Sequence, residues 1–227
     1  MNFETWEPVY ERVLADFGYE RAADEAARDL LAGLTGPFDI QRLDFAGSHV
    51  AVAAPGNALR ASLGRVGEAD RVVAVSSAGR TLREVGVPID VLVTDLDGHP
   101  ETARALSAAG TPVAVHAHGD NADALREHVP RMEHANVLPT TQAAPTGPVL
   151  NFGGFTDGDR GAFLADHLGA DLLTFPGWDL DDPTVGTEKR RKLHWAARLL
   201  RWLERRRDES FPVLDGRRGS LDVSGFP

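Results

Sequence analysis

Seven short runs rich in branched apolar residues recur along this chain, separated by helix-like stretches, and that alternation limits the folds open to it. The runs are HVAVAAP (49–55), RVVAVSS (71–77), IDVLVTD (89–95), TPVAVHAH (111–118), NVLPT (136–140), PVLNF (148–152) and DLLTF (171–175). Between several of them lie helix candidates: PETARALSAAG (100–110), ADALREHVPRM (122–132) and DRGAFLADHLG (159–169). Short, uniformly apolar runs predict strands buried on both faces, and their alternation with helices predicts a mostly parallel sheet. The expected fold class is therefore α/β, a Rossmann-like doubly wound sheet. No repeat of fixed period and no low-complexity block competes with that reading.

The two ends of the chain read differently. From Thr5 to about Leu34 the apolar residues fall mostly at helical spacings, Thr5 ahead of Pro8 is a candidate start, and Gly18 predicts a break into two helices. The stretch 187–208 predicts a long amphipathic helix with Leu193, Ala196, Ala197, Leu200 and Leu203 on one side. The final DGRRGSLDVSGFP reads as a tail that is poorly ordered unless it docks. The expected organisation is an N-terminal helical segment (1–40), a Rossmann-like catalytic domain (41–210) and a C-terminal tail (211–227).

Composition narrows the chemistry. Thirty-four acidic against twenty-four basic residues give a net charge of −10, which repels a phosphate backbone, so nucleic acid is not expected as a partner. All basic residues except Lys189 and Lys192 are arginine, a balance that suggests a surface adapted to high salt. Two lysines three residues apart then read either as a retained functional pair or, equally, as a solvated helix face. The absence of cysteine excludes a disulfide framework, a thiolate metal site and a cysteine nucleophile. No run reaches the length of a membrane span and the N-terminus lacks the order of a signal peptide, so a cytoplasmic location is expected and no membrane partner.

In an open parallel sheet, ligands bind beyond the carboxyl ends of the strands, and three polar motifs fall there. TDLDG (94–98) places Asp95 and Asp97 at i and i+2 after a buried run, where they can share one hard cation or each hold one; turn-forming aspartates are the bland alternative. HAHGDN (116–121) offers His116 and His118 on the same side of a strand, then Asp120 and Asn121 on a glycine turn. Such groups bind phosphate, a heterocycle or a transition metal, and a lone strand-end histidine is more often structural. NFGGFTDGDR (151–160) combines Asn151, Thr156, Asp157 and Arg160 near a helix start suited to an anion, with Asp157 or Asp159 as a simple cap in the alternative. Weaker signals are APGNAL (54–59), a glycine turn with Gly56 and Asn57 that suits a phosphate, and GWD (177–179), where Trp178 and Asp179 suit a ring.

TDLDG, HAHGDN and NFGGFTDGDR, in this order and spacing, resemble the archaeal 6-hydroxymethyl-7,8-dihydropterin diphosphokinase family over about 45–203. The chain departs from that family's pattern at APGNA (54–58) and VSSAG (75–79). The resemblance implies a Rossmann-like domain related to thiamine diphosphokinase that transfers diphosphate from ATP to a reduced pterin. On that basis Asp95 and Asp97 are expected to hold Mg²⁺, with ATP as co-substrate. Gly56, Asn57, Thr94, Arg160, Lys189 and Lys192 are expected at the nucleotide and its phosphates. His116, His118, Asp120, Asn121, Asn151, Thr156, Asp157 and Asp179 are expected around the substrates. A homo-oligomer and the choice between a folate and a methanopterin pathway stay open. Competing readings are a haloacid dehalogenase-type phosphatase, in which threonine rather than His99 should follow DLDG, and a metallohydrolase built on His116 and His118. A non-catalytic metal-dependent nucleotide-binding domain and a sugar-transfer domain complete the set.

Overall fold

The strands β1 (His49–Ala53), β2 (Arg71–Val75), β3 (Val91–Thr94), β4 (Val113–Ala117), β5 (Val137–Thr141) and β6 (Leu172–Thr174) form one sheet in a computed structural model that describes residues 1–227. Their order is β5-β4-β3-β2-β1-β6 and every neighbouring pair is parallel. Alternate residues of β1 to β5 face two separate cores, which is why those runs read as continuously apolar, while the edge strand β6 buries Leu173 and exposes Leu172. Val50, Val52, Val73, Val75 and Val93 point into one core, and Ala51, Ala53, Val72, Ala74 and Leu92 into the other.

Connectivity sets which helices fill each core. From β1 to β5 the chain steps in one direction, and α3 (Leu63–Gly67), α4 (Ala78–Glu84), α5 (Pro100–Ala108) and α6 (Ala122–His128) all join the second core. The chain then returns through α7 (Asp157–His167) to β6, on the far side of β1. A return step with the same crossover hand must lie on the opposite face, and α7 packs there with α8 (Thr187–Arg207) and α1 (Phe3–Phe17). The strand order therefore reverses between β1 and β6, where an open α/β sheet leaves a crevice for ligands.

The N-terminal segment is two helices, as Gly18 predicts: Gly18 adopts φ 70° and closes α1, and α2 (Arg21–Leu34) follows. The first cap is Asn2, whose side chain accepts the Thr5 amide, so Thr5 lies inside the helix rather than opening it. The helices separate, with α1 in the first core and Ala27 and Leu31 of α2 in the second.

Two expectations are corrected or completed. The run PVLNF (148–152) is not a strand: only isolated bridges, Thr140 to Leu150 and Thr146 to Val149, form there. After β5 the chain must pass the sheet's end to reach the opposite face, and it does so through a turn in which Thr146 and Val149 exchange backbone hydrogen bonds rather than as a seventh ladder. The C-terminal residues dock, with Phe211, Leu214, Leu221 and Val223 buried in the first core. No helix is long and apolar enough to cross a membrane.

Candidate active site

The loops leaving the carboxyl ends of all six strands border one cavity of about 820 Å³, walled by the α1–α2 corner and by the first turns of α8. At the reversal point, backbone approaches backbone: a Cβ on Gly56 would collide with the carbonyl oxygen of Gly177, which itself has φ +80°. Only glycine tolerates both the approach and the conformation. Trp178 follows, its indole N–H donating to the Val52 carbonyl at 2.8 Å and its ring lying against Gly158.

Asp95 and Asp97 stand at the middle of this rim. Leu96 between them has φ 69° and is buried, a conformation that costs an L-residue about 1–2 kcal/mol. Its amide donates to the Thr94 hydroxyl at 3.0 Å, and the Asp97 amide donates to Asp95 Oδ1 at 3.2 Å. The tight turn puts both carboxylates on the cavity side. Ser76, after β2, is the other strained rim residue, with φ 50°. Strain concentrated at such loops is a mark of functional sites.

The electrostatics divide the pair. Burial pushes the Asp95 carboxyl up, but the hydrogen bond from His118 Nε2 at 3.4 Å and the charge of Arg160 outweigh it and hold Asp95 below the usual carboxylate range. Burial raises Asp97, and the Asp95 charge beside it raises it further; Lys189 only partly opposes this. Two like charges forced together in partial burial are stabilised by a cation.

Behind the pair, Asn121 donates from Nδ2 to the carbonyls of Asp95 (2.8 Å) and His116 (2.7 Å) and accepts from the His118 amide (3.1 Å). It locks the β3 and β4 loops to each other. His116 is buried, with Nδ1 at 3.1 Å from the Thr140 hydroxyl; burial and the Arg160 charge push it well below its ordinary value, so it is neutral. The Thr140 hydroxyl already donates to the Val115 carbonyl at 3.1 Å, which makes His116 Nδ1 the donor.

At the start of α7, Asp159 accepts from the amides of Phe155 (2.5 Å) and Thr156 (3.0 Å) and from the Thr156 hydroxyl, forming a capping box. Arg160 one residue on is buried in a pincer: Nη1 to Asp157 at 3.1 Å and Nη2 to Gln142 Oε1 at 3.0 Å. Asp157 is pushed well above the ordinary carboxylate value by burial and by the charges of Asp95 and Asp97, against the pull of Arg160.

Of the sequence-predicted residues, the cavity gathers Gly56, Asp95, Asp97, His118, Asp120, Thr156, Asp157, Arg160, Asp179, Lys189 and Lys192. Thr94, His116, Asn121 and Asn151 lie behind its wall, and Asn57 lies outside it. Asn151 turns its amide to the Ala143 carbonyl and the Gly153 amide, at 2.7 and 2.8 Å, so it shapes the loop into α7. Sequence reasoning missed Tyr19, Asp24, Ser76 and Gln142, all of which border the cavity. Asp24 carried one legible signal: it lies in line with Ala27 and Leu31 on the buried stripe of α2, where a carboxylate needs partners.

This geometry meets a consistent set of relatives. A family model described as 6-hydroxymethylpterin diphosphokinase MptE-like matches residues 34–184. A 6-hydroxymethyl-7,8-dihydropterin pyrophosphokinase of Methanothermobacter thermautotrophicus is 38% identical over 92% of this chain and 97% of its own length. The Pyrococcus furiosus protein of that name is 38% identical over 90% and 95%. That of Methanocaldococcus jannaschii is 28% identical over 90% and 96%. With the matched residues spanning the whole sheet and the rim loops, the chain belongs to the MptE-like 6-hydroxymethylpterin diphosphokinase family.

Proposed function

We propose that this chain transfers diphosphate from ATP to the hydroxymethyl group of 6-hydroxymethyl-7,8-dihydropterin and releases AMP, with Mg²⁺ held by Asp95 and Asp97. The observation that carries the reading is the pairing of these two carboxylates, one lowered and one raised, with Arg160, Lys189 and Lys192 in one cavity. Its volume, about 820 Å³, is near the upper end of single-ligand pockets, which run to about 1,000 Å³. The names of the relatives supply the pterin and the reaction class.

The donor set suits a hard cation. No group of three or more His, Cys, Asp or Glu side chains converges to hold a metal. Mg²⁺ is commonly bound by one or two carboxylates plus water and substrate phosphate oxygens, so two aspartates facing a phosphate site fit it. When bound, Mg²⁺ supplies charge that screens the polyphosphate. His118 and the Asp97 amide hold the Asp95 carboxylate in place. Arg160, Lys189, Lys192 and the first amides of α7 neutralise the remaining phosphate charge. Asp120, Asp157 and Asp179 offer acceptors to the amino and ring N–H groups of the pterin or to the amino group of adenine.

In the reaction the hydroxymethyl oxygen bonds to the β-phosphorus, that phosphorus separates from the α–β bridging oxygen, and AMP leaves with that oxygen. The hydroxyl proton is released. Alignment and charge stabilisation supply most of the rate in such transfers. Incubation with ATP, Mg²⁺ and the reduced pterin tests this: AMP must appear only when the pterin is present. Inorganic phosphate released without an acceptor would point instead to a phosphatase.

A further inference from the structure

The residues matched by the family model begin at 34 and so leave out α1 and nearly all of α2. Yet α2 sends one buried carboxylate into the floor of the cavity. Asp24, 4% exposed, accepts from the Tyr10 hydroxyl (2.7 Å) and Gln142 Nε2 (2.7 Å) on one oxygen and from the Gly119 amide (2.8 Å) on the other. Gln142 in turn presents Oε1 to Arg160 Nη2 at 3.0 Å. A continuous buried chain of hydrogen bonds thus runs from α1 through α2 and the end of β5 to α7.

The two ends of a carboxamide differ, one accepting and one donating, so the direction of this chain is chemically determined. Asp24 offers only acceptors, and Gln142 must turn its NH₂ toward it. That leaves the carbonyl oxygen for the guanidinium. The reverse orientation would set oxygen against carboxylate and NH₂ against guanidinium, two mismatches in a buried site. Arg160 depends on this choice because its Nε has no partner, so the bonds to Gln142 and Asp157 are what orient the group.

We propose that Asp24 is a positioning residue: by fixing which end of the Gln142 amide faces Arg160, it aims the guanidinium at the phosphates. The proposal rests on the diphosphokinase reading above for what Arg160 touches. It makes the N-terminal helices a working part of the site rather than an appendage.

A charge-relocating pair of substitutions tests it in the full chain. Asp24→Asn lets the amide of Gln142 reverse and present NH₂ to Arg160. Gln142→Glu sets a second carboxylate against Asp24. Each single variant is expected to lower kcat/KM for ATP in pterin-dependent AMP release by about ten- to hundred-fold. In the double variant the amide introduced at position 24 donates to the carboxylate introduced at position 142, which still accepts from Arg160. There kcat/KM for ATP is expected to recover to within about threefold of wild type. Melting temperatures measured in parallel separate positioning from folding, since a purely structural role would move activity and melting together. Losses that multiply in the double variant, or that track melting alone, overturn the proposal while leaving an active wild type intact. A wild type that releases no AMP would remove the underlying reading and the proposal with it.

Discussion

Glu204, fully buried, and Asp95, half-buried at the cavity rim, are both carboxylates held near arginine, and they are completed in opposite ways. Glu204, in the last turns of α8, accepts from the Phe211 amide (2.6 Å), from Arg218 Nε (2.9 Å) and Nη2 (2.7 Å), and from Arg201 Nη1 (2.5 Å). Its negative charge is fully answered from within the chain, and the result is mechanical: residues after α8 are turned back onto the first core. Asp95 has a histidine at 3.4 Å, a backbone amide and a more distant arginine, and beside it stands Asp97, a second carboxylate whose charge Lys189 and His118 offset only in part. A structural acid is paired to completion, whereas this rim keeps surplus negative charge facing an open cavity. The surplus is what a cation would neutralise.

Removal of divalent cation breaks the comparison most sharply. Chelation with EDTA is expected to reduce pterin-dependent AMP release at least ~10³-fold, restorable with Mg²⁺, because charge stabilisation dominates phosphoryl transfer. Melting without substrate is expected to shift little. Glu204→Gln should show the reverse pattern. It leaves Arg201 and Arg218 short of a counter-charge, and since both are partly exposed the expected loss is about 2–3 kcal/mol, at or just below the low end of about 3–5 kcal/mol for broken buried pairs. Urea denaturation measures that loss, and kcat of the folded protein should stay within about twofold.

The smallest effect is in the pH dependence. Burial pushes Glu204 up, but Arg218, the Phe211 amide and Arg201 outweigh it and hold the folded-state value below that of the unfolded chain. The unfolded state therefore binds the proton first as pH falls, so this stabilisation is present above the ordinary glutamate value near about 4.3 and is lost as pH drops through the folded value. The stability gap between wild type and Glu204→Gln should narrow as pH is lowered from about 6 toward about 3. A gap that stays constant would mean that shape, not charge, carries the contact.

Much of this architecture was legible because the strands are buried on both faces and spelled in Val, Leu and Ala. The same logic fails at residues 148–152, where an apolar run begins with Pro148 directly after Gly147. Composition marks burial there, but pairing is decided by where the chain must go next. Asp95, Asp97, His118 and Arg160 were legible as site candidates because strand-end position and residue type coincide. Asn121 and Asn151 were read as groups facing a substrate, yet their amides are spent on backbone carbonyls and amides that shape the loops. For Asp24 and Gln142 the reverse holds: the stripe of α2 marks Asp24 as buried, but its partner Gln142 lies 118 positions away, a contact that no local pattern encodes.

The most direct test is pterin-dependent AMP release by Asp95→Asn across a Mg²⁺ titration beside wild type. The substitution keeps volume and removes one charge from the rim. The account predicts turnover lost by at least ~10³-fold at every Mg²⁺ concentration, with melting near that of wild type. Activity near wild type at ordinary Mg²⁺ would contradict it and take Asp95 out of the chemistry.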